Sequence, residues 1–562
     1  MSFYYRATLF GLLTIPTALA QADLILTNGR VWTGVERARM EQAVAIKDGR
    51  ILAVGTSRAM KVHSGSATRT IDLSGKFVMP GFNDSHIHFS GGSDRLTEID
   101  LTGICTLPAI QKKIADYASE HPEATWIRGG GWEYTCFPEG RLPTREDLDA
   151  VITSKPAFLS AYDGHTGWAN SKALEFAGLG KGYKFEGFGE VVLDPQTQLP
   201  TGCLKEGAQG LVRRLLPRRT RAERLASLEA GVKLANSLGI TSLQNASGDE
   251  DEVELYEELQ KAAKLTLRAA IAMSAGQMTT SLDAILRWAE LRTVYAGPML
   301  KVAAVKFAID GVVESHTAAM LDLYADGSKV SGRLSWDEDA YQQAMIRVDK
   351  AGFQIYTHAI GDRAVRVALD GYEAVRKYNG QRDSRHRIEH IEVMSARDVP
   401  RFAALGVMAS MEPIHCDPDT VGVWSKAVGP ERLKLAFPWR TLEKAGARLV
   451  FSSDWPASIS LDPIRGIHNA VNRQTVDGKP PAGWIPEQRV SLETALRGYT
   501  TSAAYAEFEE MRKGMLKPGY LADVIVLDRD PFTIPSAQLH SLRVKLTVVD
   551  GSVVYEAANS KP

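Results

Sequence analysis

The sequence predicts an α/β fold: a (β/α)8 TIM barrel, a small β-sandwich formed from both chain termini, and a large insertion after barrel strand 1. Three observations favour this fold. Eight apolar, strand-like runs alternate with helical segments in the middle of the chain, as in a (β/α)8 barrel. Both ends of the chain instead carry short strands joined by tight turns. A long stretch with its own Gly- and Pro-rich turns separates the first two runs.

Composition excludes some classes of protein. The chain has 562 residues, too many for one simple core, and its 66 basic residues balance 67 acidic ones. No basic field therefore indicates a nucleic-acid partner, and we expect no membrane-spanning run in the mature chain. The cysteines lack the CxxC spacing of a thiolate zinc site. A Cys105–Cys136 disulfide, a Cys136–Cys203 disulfide and free thiols, Cys416 included, all stay open.

The first twenty residues have the pattern of a signal peptide. Arg6 precedes an apolar segment, which is followed by the cleavage pattern Ala18-Leu19-Ala20. We expect cleavage after Ala20 and a periplasmic or secreted mature chain. The alternative interpretation is a short buried strand.

The remaining chain divides into three predicted parts: residues 21–77 and 511–562 form the sandwich, and residues 78–510 form the barrel, with an insertion at about 91–239. Hairpin turns are predicted at Asn28-Gly29, at Asp48-Gly49 and at the Asp-Gly pair 550–551. A loop that follows a barrel strand lies at the catalytic face. The insertion therefore predicts a lid or a wall for the substrate.

The predicted barrel strands begin with Val78–Phe89. Helical spacers are clearest at 221–238 and at 337–352, the second ending at a glycine cap. The other seven strand-like runs are 240–245, 265–273, 301–310, 353–358, 385–391, 407–413 and 448–454.

Polar side chains stand at the ends of these runs. His86 and His88 share one face of the first strand, together with Asp84, because alternate residues of a strand point the same way. Two imidazoles on one face suit a cation such as zinc. Each residue taken singly would be an ordinary core or turn residue. Barrel active sites lie at the C-terminal ends of the strands, so we expect one site that contains His86, His88, Lys306, His358, His390 and Asp454.

Longer motifs surround these residues. The chain resembles the metal-dependent amidohydrolase superfamily, in the amidohydrolase-3 or YtcJ-like branch that includes N-substituted formamide deformylases. The resemblance covers nearly the whole mature chain, and the metal pattern shows no departure. The matching segments are 80–88 (PGFNDSHIH), 163–170 (DGHTGWAN), 305–311 (VKFAIDG), 357–362 (THAIGD), 387–392 (RIEHIE), 451–456 (FSSDWP) and 514–523 (GMLKPGYLAD).

The resemblance implies a centre of one or two divalent cations, with zinc expected. His86 and His88 would hold one ion with Asp454, and His358 and His390 would hold a second. Lys306 would bridge the two as a carboxylated lysine, which requires a desolvated neutral amine. The competing interpretation is a mononuclear site in which Lys306 is unmodified or Glu206 supplies an oxygen.

Hydrolysis by metal-activated water follows from such a centre. Asp454 is the expected general base, and His165 of the insertion is expected to polarise the substrate carbonyl. Five residues are predicted to bind or border the substrate, although Trp132 could equally belong to the insertion's own core and His165 could be a turn residue. These five are Trp132, His165, Asp310, His415 and Trp455.

The leading hypothesis is hydrolysis of a C–N bond in a small-molecule amide, N-formyl amine or cyclic amide. A deaminase or an esterase on the same metal site is the alternative. A non-catalytic metal-binding module would carry a broken ligand set, whereas this set is complete. Self-association is compatible with the family and stays open.

Overall fold

The computed structural model of the chain describes residues 20–558. The predicted signal peptide, apart from Ala20, therefore lies outside the described residues. Within residues 20–558, no helix is both long enough and apolar enough to cross a membrane.

Eight parallel strands of the described chain form one sheet. The last strand meets the first through main-chain hydrogen bonds: Asp454 N donates to His86 O at 2.8 Å, and His88 N donates to Trp455 O at 2.9 Å. The predicted (β/α)8 barrel is confirmed. Its strands are Phe82–Ile87, Ile240–Gly248, Arg268–Ser274, Leu300–Ala308, Gln354–Ala359, Arg387–His390, Met408–Met411 and Leu449–Phe451.

Helices cover the outside of the barrel. Several begin at the capping residues that their sequence predicts: the Asp249 side chain accepts from Glu252 N, and the Asp337 side chain accepts from Ala340 N. The helices that follow the first strand and its insertion are Phe89–Arg95, Arg221–Ser237, Glu250–Lys261, Leu282–Val294, Glu338–Lys350, Asp362–Asn379, Val399–Leu405, Val421–Val428, Pro430–Leu433, Trp439–Lys444, Pro463–Asn472, Leu492–Gly498 and Thr501–Ala506.

The predicted first strand, Val78–Phe89, is two strands. Phe77–Pro80 pairs with Val524–Leu527 in a terminal sheet, whereas Phe82–Ile87 belongs to the barrel. The break falls at Gly81, where a Cβ atom would lie 2.2 Å from Thr241 Oγ1. The barrel therefore starts after Gly81 and not at the expected residue 78.

The predicted sandwich is confirmed, and it combines both ends of the chain. Side chains from its two sheets share one buried cluster, which includes Leu26, Val44, Val78, Val526 and Val548. One sheet consists of Leu24–Thr27, Ala43–Lys47, Arg50–Gly55 and Arg69–Asp72, with the helix Ser57–Met60 beside it. The other consists of Arg30–Val31, Phe77–Pro80, Val524–Leu527, Val544–Val549 and Ser552–Glu556.

Two of the three predicted hairpins form. The strands on either side of Asp48-Gly49 pair antiparallel, as do those on either side of Asp550-Gly551. Both residues of each turn have positive φ, between 48° and 76°, the backbone that a two-residue type I′ turn requires.

The hairpin predicted at Asn28-Gly29 is wrong. Leu24–Thr27 pairs with strands of one terminal sheet, whereas Arg30–Val31 pairs with Phe77–Pro80 in the other sheet. Asn28 has a φ of 58°, so the residue adopts the left-handed backbone that the pair predicts. Gly29 does not share this positive φ, so the two-residue turn does not form. Gly29 N donates instead to Gln42 O at 2.8 Å, and the chain passes from one sheet to the other.

The insertion has a sheet and a core of its own. Its three cysteines, Cys105, Cys136 and Cys203, are free thiols, as is Cys416 of the barrel, so neither open disulfide forms. The strands are Ile99–Asp100, Ile127–Trp132, Ala157–Ala161, Thr166–Ala169, Gly189–Leu193 and Pro200–Glu206, and the helices are Leu107–Glu120, Arg145–Asp149, Ser171–Phe176 and Gly210–Arg213.

Candidate metal centre and active site

The two histidines of the first strand are held through their outer ring nitrogens. His86 Nδ1 lies 2.8 Å from Glu389 Oε2, and His88 Nδ1 lies 2.8 Å from Ser247 Oγ. The Glu389 carboxylate accepts from His86 Nδ1, and the Ser247 hydroxyl can accept from His88 Nδ1, the contacts that direct Nε2 of a metal-binding histidine towards a cation. Both Nε2 atoms are thereby available as donors to a cation.

Asp454 faces these two nitrogens. Its Oδ1 lies 3.2 Å from His86 Nε2 and 3.2 Å from His88 Nε2. Among the described residues this buried oxygen has no hydrogen-bond partner of good geometry. A buried, unsatisfied carboxylate oxygen between two imidazole nitrogens is the arrangement that a divalent cation completes.

His358 and His390 come from the ends of the fifth and sixth barrel strands. His390 Nδ1 lies 2.8 Å from Glu412 Oε2, and its ring centroid is 4.9 Å from that of His86. The His358 ring lies 4.4 Å from the His390 ring. His358 Nε2 lies 3.3 Å from Gly311 O, which leaves Nδ1 as its available ring nitrogen.

Lys306 is the sixth member of the set. Its Nζ lies 3.3 Å from His86 Nε2, and the residue is only 6% exposed. Burial lowers the pKa of Lys306 below its usual value, against the opposing pull of Glu389 and Asp454. The structure thus brings together all six residues that the sequence predicts for the metal centre.

The electrostatics suit a cation. Burial lowers the pKa of His358 and of His390 well below the usual range, and neutral imidazole is the form that binds a metal. Burial raises the pKa of Asp454, but His86 and His88 outweigh it and bring that pKa well below its usual value. In the described chain, His86, His390 and Asp454 place their ligand atoms within 4.8 Å of one another. Nitrogen and carboxylate donors in this number fit zinc or a similar divalent ion.

A second layer of residues, which the sequence reasoning did not assign, holds the ligands. Arg387 Nε donates to Glu389 Oε1 at 2.6 Å, and Arg387 Nη1 donates to Gln244 Oε1 at 2.7 Å. Burial opposes ionisation of Glu389, but Arg387 and His86 lower its pKa to about 2. The signal in the sequence was the spacing: Arg387 and Glu389 are two apart on one strand and so share a face.

Asp84 is a positioning residue. Its Oδ1 accepts from Ser453 N at 3.1 Å and from His86 N at 3.3 Å. It therefore ties the turn that precedes Asp454 to the first strand.

Two of the five predicted substrate residues lie at the centre. The His165 ring is 5.5 Å from the His358 ring, and His165 Nδ1 lies 2.8 Å from Glu206 Oε2. His415 stacks on His390 at 5.9 Å, and its Nε2 lies 3.7 Å from Asp454 Oδ2.

Of the other three predicted substrate residues, one lies in the core of the insertion and two lie behind the metal centre. Trp132 is fully buried in the insertion core, and its Nε1 donates to Leu159 O at 3.1 Å, so the core interpretation of this residue is the correct one. Asp310 accepts three main-chain N–H groups, from Ala319, Ile360 and Gly361.

Trp455 packs against the helix Phe89–Arg95. Its ring lies 6.0 Å from the Phe89 ring, and a Cβ atom on Gly92 would meet it at 2.2 Å. Asp310 Oδ1 lies 3.5 Å from His358 Nε2. Trp455 and Asp310 therefore lie next to metal-site residues, and their role towards the substrate stays a prediction.

A cleft of about 700 Å³ opens above the centre, between the barrel mouth and the insertion. Its base is formed by His88, His358, His390 and Asp454, and His165 contributes from the insertion. The residues that hold the cation site thus border a space large enough for a small organic molecule.

A (β/α)8 barrel with such a centre at its C-terminal strand ends defines a metal-dependent hydrolase. The sequence profile described as "Amidohydrolase family" matches residues 69–555. The chain belongs to this family, as the motifs predicted, and is a metal-dependent amidohydrolase.

Three similar proteins cover almost the whole chain. The "Protein LONG AFTER FAR-RED 3" of Arabidopsis thaliana is 32% identical, over 96% of this chain and 93% of its own length. The "N-substituted formamide deformylase" of Arthrobacter pascens is 30% identical, over 96% of this chain and 99% of its own. The crystal structure of an uncharacterized metal-dependent hydrolase from Pyrococcus horikoshii OT3 is 26% identical, with a TM-score of 0.71, and covers 91% of this chain and 99% of that one.

Proposed function

We propose that the enzyme hydrolyses a C–N bond in an amide, an N-formyl amine or a cyclic amide. The observation that carries the proposal is the unsatisfied Asp454 Oδ1 between two imidazole nitrogens at the base of an open cleft. Similarity to an N-substituted formamide deformylase supports the choice of an N-formyl amine as a test substrate.

The proposed ligands are His86, His88, His358, His390 and Asp454. A divalent cation held there, with zinc our choice, would lower the pKa of water from about 15.7 towards 7 and would polarise a carbonyl group. Asp454 accepts the proton of the attacking water at its carboxylate and delivers it to the leaving amine.

We further propose that Lys306 is carboxylated and that two cations bind per chain. Burial of Lys306 favours its neutral amine, which is the form that adds CO₂. The competing ligand Glu206 is otherwise engaged, since its carboxylate contacts His165 Nδ1 and accepts from Thr317 Oγ1 at 2.5 Å. A non-denaturing mass spectrum tests the modification. A carboxylated Lys306 adds 44 Da to the mass of the chain, and an unmodified Lys306 adds nothing.

His165 is proposed to donate a hydrogen bond to the substrate carbonyl. Burial lowers its pKa, but Glu206 and Asp163 outweigh this and raise the pKa of His165 to about 9. A protonated imidazole above the centre stabilises negative charge that develops on the carbonyl oxygen.

The products distinguish this proposal from the alternatives. Purified, zinc-loaded protein is incubated with N-formyl and N-acyl amines, aminopyrimidines and carboxylate esters, and carboxylate, amine and ammonia are quantified. Release of a carboxylate together with an amine supports amide hydrolysis. Ammonia from a heterocycle, with no amide turned over, would establish a deaminase instead, and turnover of esters alone would establish an esterase.

We also propose that the chain is exported and cleaved after Ala20, which leaves a periplasmic or secreted enzyme for a small-molecule substrate. The mass of the chain purified from its native cells tests this, because the mature chain should begin at Gln21. A chain that retains Arg6 would contradict export by this signal.

A further inference from the structure

The wall of the cleft above the metal centre is rich in arginine. Six arginines line it, against four carboxylates, one of which is Asp454 at the centre itself. The arginines are Arg95, Arg128, Arg213, Arg218, Arg219 and Arg224, and the other carboxylates are Asp94, Glu98 and Asp163.

Three of these arginines are paired. Arg128 Nε lies 3.0 Å and Arg219 Nη2 lies 2.9 Å from the same oxygen, Glu98 Oε1. Arg224 pairs with Asp251. Arg219 Nε also lies 3.6 Å from Asp94 Oδ1. These pairs use Asp94 and Glu98, and the other arginines of the wall leave it with an excess of positive charge.

Arg95 and Arg213 have no carboxylate oxygen within 4 Å in the described chain. Arg95 Nη1 donates to Pro456 O at 3.2 Å. Arg213 Nη2 donates to Ser160 Oγ at 3.2 Å and to Gln209 Oε1 at 2.8 Å. A guanidinium has five N–H donors, so most donors of both side chains remain for a ligand.

Both guanidiniums lie near Ser160: Arg213 Nη2 donates to Ser160 Oγ at 3.2 Å, and a Cβ atom on Gly130 would lie 3.3 Å from Ser160 Cβ and 3.4 Å from Arg95 Cζ. Burial lowers the pKa of Arg95, and the nearby carboxylates Glu98 and Asp163 offset this only in part. Desolvation by the surrounding wall and the Arg95 charge lower the pKa of Arg213, although Arg213 is exposed to solvent. Asp163 is committed to other groups, since it accepts from Tyr134 Oη and from His165 N. An anion between the two guanidiniums would relieve this repulsion.

The pair lies within reach of the metal centre. Arg95 ends the helix that begins directly after His88, seven residues along, which is about 10 Å at 1.5 Å per residue. Its partner Pro456 is two residues beyond Asp454. A small organic group can therefore span the distance between the reacting carbonyl and the guanidiniums.

We propose that Arg95 and Arg213 bind a carboxylate at the end of the substrate remote from the scissile bond. The preferred substrates are then N-acyl or N-formyl amines that carry a carboxylate across a spacer of several carbons. Bidentate hydrogen bonds from planar guanidiniums suit a carboxylate well. This inference rests on the proposed amide hydrolysis and names its substrate class. By contrast, Arg363 and Arg440 are paired with Glu338 and Glu443.

Two formamides that differ only by a para carboxylate group test the proposal: N-formyl-4-(aminomethyl)benzoate and N-benzylformamide. With zinc-loaded enzyme, we expect kcat/KM to be at least about 10-fold higher for the carboxylate, as charge-assisted hydrogen bonds imply. Arg95→Gln, Arg213→Gln and the double variant should each reduce this ratio. Arg224→Gln is the matched control, because Asp251 already compensates that charge, and it should keep the ratio. A ratio near one in the wild type, or one that survives the double variant, overturns the proposal.

Binding of the products separates this inference from the proposed reaction. Calorimetry compares 4-(aminomethyl)benzoate with benzylamine on the same zinc-loaded proteins. Tighter binding of the carboxylate by about 10-fold, lost in the double variant, supports the subsite even if neither formamide is hydrolysed. Equal affinities for the two amines, or tighter binding of the carboxylate that persists in the double variant, would refute the arginine subsite.

Discussion

Asp454 is held in place from several directions before any ligand binds. Its backbone adopts a φ of 56°, a left-handed conformation that a non-glycine residue adopts at a cost. Its N–H donates to His86 O, and the preceding Ser453 N–H donates to Asp84. The carboxylate is therefore pre-oriented towards the two imidazoles. Because Asp454 is buried, its charged form is stabilised mainly by His86 and His88.

Asp454→Asn tests the assignment of the general base. The amide cannot accept the proton of water, so we expect kcat to fall by about 10²- to 10⁴-fold, measured together with the metal content of the purified variant. Asp339→Asn, an exposed helix residue, is the control. Unchanged turnover in an Asp454 variant that keeps its metal would show that another group is the base.

The short helix Phe89–Arg95 connects the metal centre to the cleft wall. It begins after His88 and ends with Arg95, and its Gly92 lies directly against the Trp455 ring. Trp455 is the neighbour of Asp454 in the chain. The position of this helix therefore affects both the catalytic turn and the arginine subsite.

Gly92→Ala should disturb this contact. The added methyl group would lie 2.2 Å from Trp455 Cε3, so the ring and the adjoining turn must shift, and we expect kcat/KM to fall by about 10-fold or more, since small displacements at a site have large effects. Gly91→Ala adds the same methyl group one residue earlier, where nothing lies within 4 Å. Equal kinetics for these two variants would contradict the role given to the Gly92–Trp455 contact.

At the scale of the whole molecule, Glu507 joins the barrel to the chain that returns to the sandwich. It is buried and lies 2.5 Å from Lys513 Nζ and 3.1 Å from Lys301 Nζ, and it accepts from Asn83 Nδ2 at 2.6 Å. Burial opposes its ionisation, but Lys301 and Lys513 lower the pKa of Glu507 from 4.5 to about 2.

This buried cluster predicts a pH-dependent stability. A carboxyl group whose pKa falls this far on folding contributes about 3 kcal/mol. The contribution is complete above pH 4.5 and is lost as the pH falls from about 4.5 to about 2. Glu507→Gln should therefore be about 3 kcal/mol less stable than the wild type at pH 7, with the gap narrowing in that acid range.

Urea denaturation at several pH values measures the gap. Glu493→Gln, which breaks an exposed helix pair with Arg497, is the control and should cost less than about 1 kcal/mol. If the difference in unfolding free energy between the wild type and Glu507→Gln stays constant down to pH 3, the lowered pKa of Glu507 is not its cause.

Much of the fold and the metal set could be predicted because both depend on local patterns. Strand alternation and position in the eight-strand count are sufficient to bring His86, Lys306 and Asp454 to one place. The spacing of Arg387 and Glu389 places both on one face of their strand, but their further partners could not be predicted, because Gln244 and His86 come from other strands of the barrel. The sequence also could not decide whether Trp132 borders the substrate or belongs to the core of the insertion, because an aromatic side chain is common in both places. The hairpin predicted at Asn28-Gly29 did not form, because long-range pairing places the flanking strands in different sheets.

The most direct test of the central claim is a zinc titration of metal-free protein, with hydrolysis of N-benzylformamide followed at each step. The six converging residues predict no turnover without metal, a rise with added zinc, and a plateau at two ions per chain. A plateau at one ion would support the mononuclear site instead of the binuclear one. Full turnover by the metal-free chain would contradict the metal centre altogether.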